Sequence, residues 1–403
     1  MKFAPISLLI VLLLAACNSS TPTNETPISE ELTFDSLTLA LDQLAAQEKV
    51  AGFGVAIVGA AGAIYQQGFG YADIANKTPY TPQHLQNIGS VSKTFIGVSL
   101  QQAVEQGLLQ WDSPINDFLP FEVIHPLFPD QPILLSHLAT HTAGINDGDD
   151  YDLAYSLTHG NSYQGEDLDE DGVEEFARYA QNQAYALGDF CQAFLAKDGS
   201  FYQDDHFLET APGEVYEYSN VGAALAAHVL EQVSGISFPE WTQRHIQTPL
   251  GMENSGWSFD EVDMAKHANL YYGRTQPLPH YTLATYPDGG FITSVEDLSI
   301  YLSAMIAGYG QPTNPLTNTG GLENIMQVRA SGDGEQYGYF WETQDSGAIG
   351  HSGGDPGIIT LMFFQPEIAH GFIVFFNGHP TDDGQVIGEV IDLIVAEVRK
   401  VAG

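Results

Sequence analysis

"NIGSVSKTFIGVSL", residues 87–100, sets a single lysine among uncharged neighbours. The 403-residue chain holds only 12 Lys plus Arg against 51 Asp plus Glu, so a cation spent here needs a reason. Val91, Phe95, Val98, Val104 and Leu108 recur at helical spacing after Ser90, and Gly107 stands near the expected helix end. A lysine on such a helix is costly to bury as an ammonium, and desolvation favours its neutral amine, which can accept a proton. Ser90 precedes Lys93 by three residues, so the two side chains share a helix face. Gly89 comes just before, at an expected helix start where unpaired N–H groups and the dipole favour developing negative charge. The chemical reading is a nucleophile beside its base. The competing reading is an N-cap serine followed by an exposed lysine. So short a motif also arises by chance, and it needs partners.

Two further stretches supply candidates. In "PGEVYEYSNVGAALAAHVL" (212–230), Tyr218-Ser219-Asn220 lies just ahead of a helical run. Residues i and i+2 of an extended segment point the same way, so Tyr218 and Asn220 can face one cleft. A phenol can shuttle a proton, and an amide can hydrogen-bond a substrate or Lys93. A simple helix cap accounts for the same residues. In "GAIGHSGGDPG" (347–357), His351-Ser352-Gly353-Gly354 falls at the end of an expected strand, with small residues that let a ligand approach the backbone. His351 is a candidate to orient the tyrosine or to contact substrate; a plain turn between strands is the alternative.

The rest of the chain frames these three segments. "LTFDSLTLALDQLAAQEKV" predicts a first helix over 35–49, and "GFGVAIVGAAGAIYQQGFGYAD" predicts a hairpin with its turn at 59–62. Residues from about 110 to 345 read as helical and loop-rich. After them, "GIITLMFFQ" and "HGFIVFFNG" are short apolar runs bounded by glycine, and "DGQVIGEVIDLIVAEVRK" is an amphipathic helix with basic residues at its C-terminal end. Strands at both ends and helices between predict an α+β fold. One antiparallel sheet is built from both termini and flanked by the terminal helices, beside a mostly helical region, with a cleft between them.

A formal charge of −39 and a pI near 4.2 argue against nucleic acid or an anionic bilayer surface as a partner. Hydrophobic residues at 44% are ample for a core. The N-terminus begins with Met1-Lys2, continues through the apolar "ISLLIVLLLAA" and ends in "LAAC", followed by polar "NSSTPTNETPISEE". This resembles a bacterial lipoprotein signal, and the resemblance implies cleavage before Cys17, lipidation of that cysteine and a flexible tether over 18–33. An ordinary secretory signal is the alternative. The expected destination is export, with lipid anchoring to the outer membrane facing the periplasm or the cell surface and no other membrane contact. Cys191 would then be the one remaining cysteine, which leaves no internal disulfide.

Taken in order, SxxK, YxN and HxG resemble the serine β-lactamase and penicillin-recognising family, in its class C, D-alanyl-D-alanine carboxypeptidase and esterase branch. "LQWDSPINDFLP" (109–120), "LLSHLATHTAGI" (134–145), "DGGFITSVEDLSIYLSAM" (288–305) and "YGYFWE" (337–342) extend the likeness across roughly 35–400. It implies a β-lactamase/transpeptidase-like domain over 34–403, with the helical insertion at about 110–345. It further implies that Ser90 becomes acylated, that Lys93 and Tyr218 share the proton transfers, and that Asn220 positions the substrate or the lysine. The backbone N–H groups of Ser90 and Gly354 would hold the oxyanion, and catalysis would need no cofactor. The substrate would be a small ester, amide or peptide.

One departure separates this chain from dedicated class C enzymes, which resemble it but carry Lys-Thr-Gly where it has His351-Ser352-Gly353. A largely neutral histidine holds a β-lactam carboxylate less well than a lysine does. An esterase or a D-amino-acid peptidase is therefore expected ahead of a β-lactamase. A cell-wall-peptide-binding lipoprotein without turnover, and an acidic calcium-binding surface protein retaining the fold, are the readings from other classes. The last rests on "GEDLDEDGVEEFARY", in which Asp167, Asp169, Asp171 and Gly172 match the first half of an EF-hand loop. Arg178 stands where a bidentate Glu would close that loop. A solvated acidic loop is thus weighed ahead of a structural Ca²⁺ site.

Overall fold

The structure is a computed structural model that describes residues 34–158, 170–272, 275–332, 334–381 and 384–402. The signal and tether calls, including Cys17, lie outside those residues, as do Asp167 and Asp169. Asp171 enters only through the backbone of helix Glu170–Tyr179. Among the described residues, no group of three or more His, Cys, Asp or Glu side chains is arranged to hold a metal.

Helix α1 (Asp35–Ala45) carries Leu37, Leu41 and Leu44 on one buried stripe. It stops four residues short of expectation, because the chain tightens through Gln47 and Glu48, the latter at φ 58°, to enter the sheet. The predicted hairpin is present as β1 (Gly52–Gly59) and β2 (Gly62–Asp73). From the far end of the chain come β3 (Ile349–Asp355), β4 (Ile358–Gln365) and β5 (His370–Phe376). Strand β5 lies against β1, with Phe53 opposite Phe376 and Val55 opposite Val374, so first and last strands close one antiparallel sheet.

That sheet has nine strands. From one edge they run Ala330–Gly332, Glu335–Tyr337, Glu342–Thr343, β3, β4, β5, β1, β2 and Thr78–Pro79. Three edge strands thus fall inside the stretch expected to be helical. Each is only two or three residues long, too short for the period-2 pattern to declare itself.

Alternation decides the two faces. Phe53, Val55, Ile57, Val374 and Phe376 point toward α1 and helix α5 (Gln385–Val401), which supplies Val386, Val390, Ile391 and Ile394. Ala56, Val58, Ile373 and Phe375 point the other way, into the larger core shared with helix α4 (Val295–Gly308) and the helical region. Burying each large side chain there stabilises the fold by roughly 1.5–3 kcal/mol. Cys191 is a free, buried thiol in helix Leu187–Leu195. No single described helix is long and apolar enough to cross a membrane.

At the sheet's inner edge sit helix α2 (Lys93–Glu105), buried from Lys93 through Ala103, and helix α3 (Asn220–Ser234). The small residues Ala223, Ala224, Ala226 and Ala227 let α3 lie close beside α2. The cleft lies where these two helix starts meet β3.

Candidate active site

Ser90 occupies a 3-10 turn, Gly89–Ser92, that runs straight into α2. A small ladder fixes this turn. Leu85–Asn87 pairs with Ile292–Ser294, Ile88 N–H donates to Phe291 O at 3.0 Å, and Phe291 N–H donates to Ser92 Oγ at 3.2 Å. The same ladder delivers the preceding turn, Tyr286–Asp288, to the lysine.

Two glycines let β3 press against the turn that bears Ser90. Gly89 has φ 53°, and a Cβ there would stand 2.9 Å from Gly354 N; a Cβ on Gly353 would stand 2.2 Å from Ile88 O. The backbone amides of Ser90 and Gly354 therefore flank one narrow space, and Gly354 is exposed to it. As the second residue of its turn, Ser90 holds its N–H outside the turn's own ladder.

Lys93 is fully buried. Its Nζ donates to Ser90 Oγ at 3.1 Å, Asn220 Oδ1 at 2.6 Å and Asp288 O at 2.8 Å, and it lies 4.9 Å from the Tyr218 ring centre. Burial pulls its pKa down to about 8, against the opposing pull of Asp288, Asp147 and Asp355. The structure therefore brings Ser90, Lys93, Tyr218 and Asn220 together. The cap reading of the Tyr-x-Asn segment holds as well, because Ser219 Oγ accepts Gly222 N–H at 2.8 Å. Cap and cleft wall are the same residues.

The Tyr218 hydroxyl is buried and makes no hydrogen bond of normal geometry, although Ser90 is near enough to favour its ionised form. Burial dominates and holds that phenol well above its ordinary pKa of 10, so it stays protonated. His351 lies inside β3 and not at its end, 2% exposed. Burial and then Lys93 drop its pKa to about 3, which makes it a neutral ring packed 6.3 Å from Tyr218 and 5.8 Å from Tyr337. Such a histidine lines the wall behind the tyrosine. Ser352 is tied outward to Glu342, its N–H and hydroxyl donating to Oε2 at 3.3 and 3.4 Å.

Several residues that sequence reasoning passed over complete the site. His141 stacks on Tyr218 with ring centres 4.4 Å apart. Asp288 accepts the Tyr151 hydroxyl on both carboxylate oxygens, at 3.0 and 2.9 Å, and Asp355 accepts the Tyr155 hydroxyl at 2.6 Å. Burial lifts both carboxyls to about 7. Asp147 binds the start of α3. His141, Asp288 and Asp355 sit within the very stretches that carry the family likeness, but nothing in their spacing marks them as neighbours of Lys93. Asp147 lies in a loop, Tyr151 in the 3-10 turn Asp149–Ala154 and Tyr155 at the start of the three-residue strand Tyr155–Leu157, none with a periodic signal.

The Beta-lactamase family profile matches residues 37–396. The chain belongs to the beta-lactamase family. Penicillin-binding protein 4* of Bacillus subtilis is 26% identical over 321 residues, 74% of this chain and 62% of that protein. Protein flp of Staphylococcus aureus is 22% identical over 323 residues, 77% of this chain and 56% of that protein. This beta-lactamase-family chain thus spans about three fifths of the length of the curated relatives it matches. Among solved structures, the octameric penicillin-binding protein homologue from Pyrococcus abyssi is similar at TM-score 0.71 and 25% identity, covering 91% of this chain and 78% of that one. A D-amino acid amidase from Ochrobactrum anthropi, solved with L-phenylalanine, shares the fold at TM-score 0.66 and 19% identity, over 92% of this chain and 100% of that one. The family is one of serine hydrolases on a large antiparallel sheet with flanking helices, and it works in general without a cofactor.

Proposed function

We propose that the chain is a serine hydrolase that cleaves a small ester, amide or D-amino-acid peptide through an acyl-enzyme on Ser90. The observation that carries this is the 3.1 Å contact between Ser90 Oγ and a fully buried Lys93 whose pKa falls to about 8. Near neutral pH an appreciable fraction of that amine is uncharged and able to take the serine proton as Oγ attacks the carbonyl. The N–H groups of Ser90 and Gly354 receive the developing oxyanion. Tyr218, held as a protonated phenol, serves as donor to the leaving group and regains its proton from Lys93. Water then attacks the acyl-Ser90 carbonyl, and serine and lysine return to their starting states. Asn220 holds the lysine in register throughout.

The charge around the cleft narrows the substrate. Asp147, Asp288 and Asp355 all act on Lys93, and above about pH 7 Asp288 and Asp355 are mostly ionised, so acidic groups surround the amine. A substrate carboxylate meets repulsion there, whereas a neutral ester or an aminoacyl amide with a free ammonium does not. This supports an esterase or an aminopeptidase-like amidase ahead of a β-lactamase.

The test incubates wild type and Ser90→Ala with p-nitrophenyl butyrate, D-amino-acid amides, nitrocefin and fluorescent penicillin, reading turnover and the mass of any adduct. A Ser90-dependent acyl adduct with ester or amide turnover is the expected result. Muropeptide binding without adduct or turnover would replace the enzyme reading with a non-catalytic cell-wall-peptide binder, and nitrocefin turnover rivalling the ester would favour a β-lactamase. For location we propose a lipid anchor on Cys17; metabolic labelling with a clickable palmitate, lost in Cys17→Ser, checks it.

A further inference from the structure

The N-terminus of α3 is served by a carboxylate 73 residues upstream of Asn220. Asp147 Oδ2 accepts Asn220 N–H at 2.6 Å, while Oδ1 accepts the Ser219 hydroxyl at 2.6 Å and Val221 N–H at 3.1 Å. Ser219 Oγ in turn accepts Gly222 N–H, so three of the helix's first donors are satisfied by one serine and one aspartate. An anion at this end also complements the helix dipole. The same loop grips the residue before. His141 O accepts Glu217 N–H at 2.7 Å, His141 Nδ1 accepts Ser219 N–H at 3.2 Å, and the imidazole stacks on Tyr218 at 27°. Residues 141–147 thus clamp Tyr218 and Asn220 from both sides.

The clamp meets the chemistry at Tyr218, on which His141 stacks, and at Asn220, which reaches the lysine. Asn220 Oδ1 is bonded to Lys93 Nζ at 2.6 Å, so any shift of Asn220 moves the lysine relative to Ser90. We propose that Asp147 is a positioning residue for acylation, acting through Asn220 on Lys93 without touching substrate. This rests on the acyl-serine reading above. Its carboxylate works twice, by geometry on Asn220 and by charge on Lys93, which it holds toward the ammonium. The two effects leave opposite signatures. Loss of geometry slows acylation, whereas loss of the charge lets Lys93 become neutral at lower pH.

Asp147→Asn separates them. Its Oδ1 can still accept from Ser219 and Val221, but an NH₂ then faces Asn220 N–H, which loses its acceptor. Three quantities are read on the full chain: acylation by p-nitrophenyl butyrate against pH, the thermal midpoint, and the titration of Lys93 by NMR of ¹³C-lysine-labelled protein. The expected result is a kcat about 10–100-fold lower with KM little changed, and a Lys93 midpoint displaced toward acid. On an Asn220→Ala background the same change should cost less than about threefold, because the path is already cut. A folded Asp147→Asn protein whose kcat and Lys93 titration match wild type, or whose effect adds fully to that of Asn220→Ala, would reduce Asp147 to a helix cap and overturn the proposal. Should Asp147→Asn not fold, Asp147→Glu keeps the charge on a longer arm. It is then expected to keep the Lys93 midpoint while losing kcat, and wild-type kcat with that variant would count against the proposal. Should wild-type Ser90 fail to acylate, the hydrolase reading falls separately, and the Lys93 titration still decides whether Asp147 and Asn220 are coupled to the amine.

Discussion

Replacing Lys93 by Met should change the pH dependence of stability by an amount the structure sets. Folding lowers the lysine pKa from an ordinary 10.5 to about 8, first through burial. Between those two values the unfolded chain carries the proton and the folded chain does not, so wild-type stability rises with pH across that window. At 1.36 kcal/mol per pH unit the full rise is about 3 kcal/mol, and no discount for solvent screening applies because the side chain is fully buried. Below pH 8 both states are protonated and the folded state bears the whole cost of the ammonium. Met at position 93 has a similar length and no charge, so the rise should vanish. The buried tyrosines, whose raised pKa values make stability fall as pH climbs past 10, act alike in both proteins and cancel in the difference. Chemical denaturation of wild type and Lys93→Met at pH 7.5 and pH 10 isolates the lysine. The stability difference between the two proteins should move by about 2–3 kcal/mol in favour of wild type at the higher pH. A change below about 1 kcal/mol would mean that the amine is not held near neutrality by the fold.

Further outcomes follow from the same geometry. Acylation by p-nitrophenyl butyrate should rise with pH about a midpoint near 8 as Lys93 loses its proton, and stopped-flow rates from pH 6 to 9.5 should show it. Tyr218→Phe should keep that midpoint while lowering the rate about 10²–10⁴-fold, since the phenol is protonated across the range. Gly353→Ala sets a Cβ 2.2 Å from Ile88 O, so it should cost about 1–3 kcal/mol in denaturant titration and about 10²-fold in acylation, by pushing β3 off the nucleophile turn. Asp355→Asn together with Asp288→Asn should reduce kcat/KM for an aminoacyl amide relative to its N-acetyl counterpart by about tenfold, the worth of about 1.4 kcal/mol of ammonium attraction. Equal losses on both substrates would show that the carboxylates do not read charge.

Local signals made much of this legible before any coordinates. The Ser90–Lys93 spacing, the alternation of the first hairpin and the apolar runs near the C-terminus each speak within a dozen residues, and they suffice to place the sheet and to single out the Ser90–Lys93 pair. The edge strands within 330–343 were not readable, because two or three residues carry no period and their identity as strands comes only from pairing with β3 and with one another. His351 was half legible: its segment joins the site, yet whether an imidazole points at substrate or packs behind Tyr218 depends on β3 running on to Asp355. The carboxylates escaped notice for a different reason. In a chain this rich in Asp and Glu, no single acid stands out, and Asp147, Asp288 and Asp355 become neighbours only through contacts between segments far apart in sequence.

Because β1 is seated between β2 and β5, and Gly353 abuts the turn that bears Ser90, neither the closed sheet nor the narrow space between the Ser90 and Gly354 amides can form until β3–β5 have been synthesised. A nascent polypeptide stalled before residue 350 carries its serine and lysine but no wall to set them against. The same holds for a fragment clipped by a protease within the last fifth. A chain ending before β3 thus lacks three strands of the sheet together with the wall that flanks Ser90.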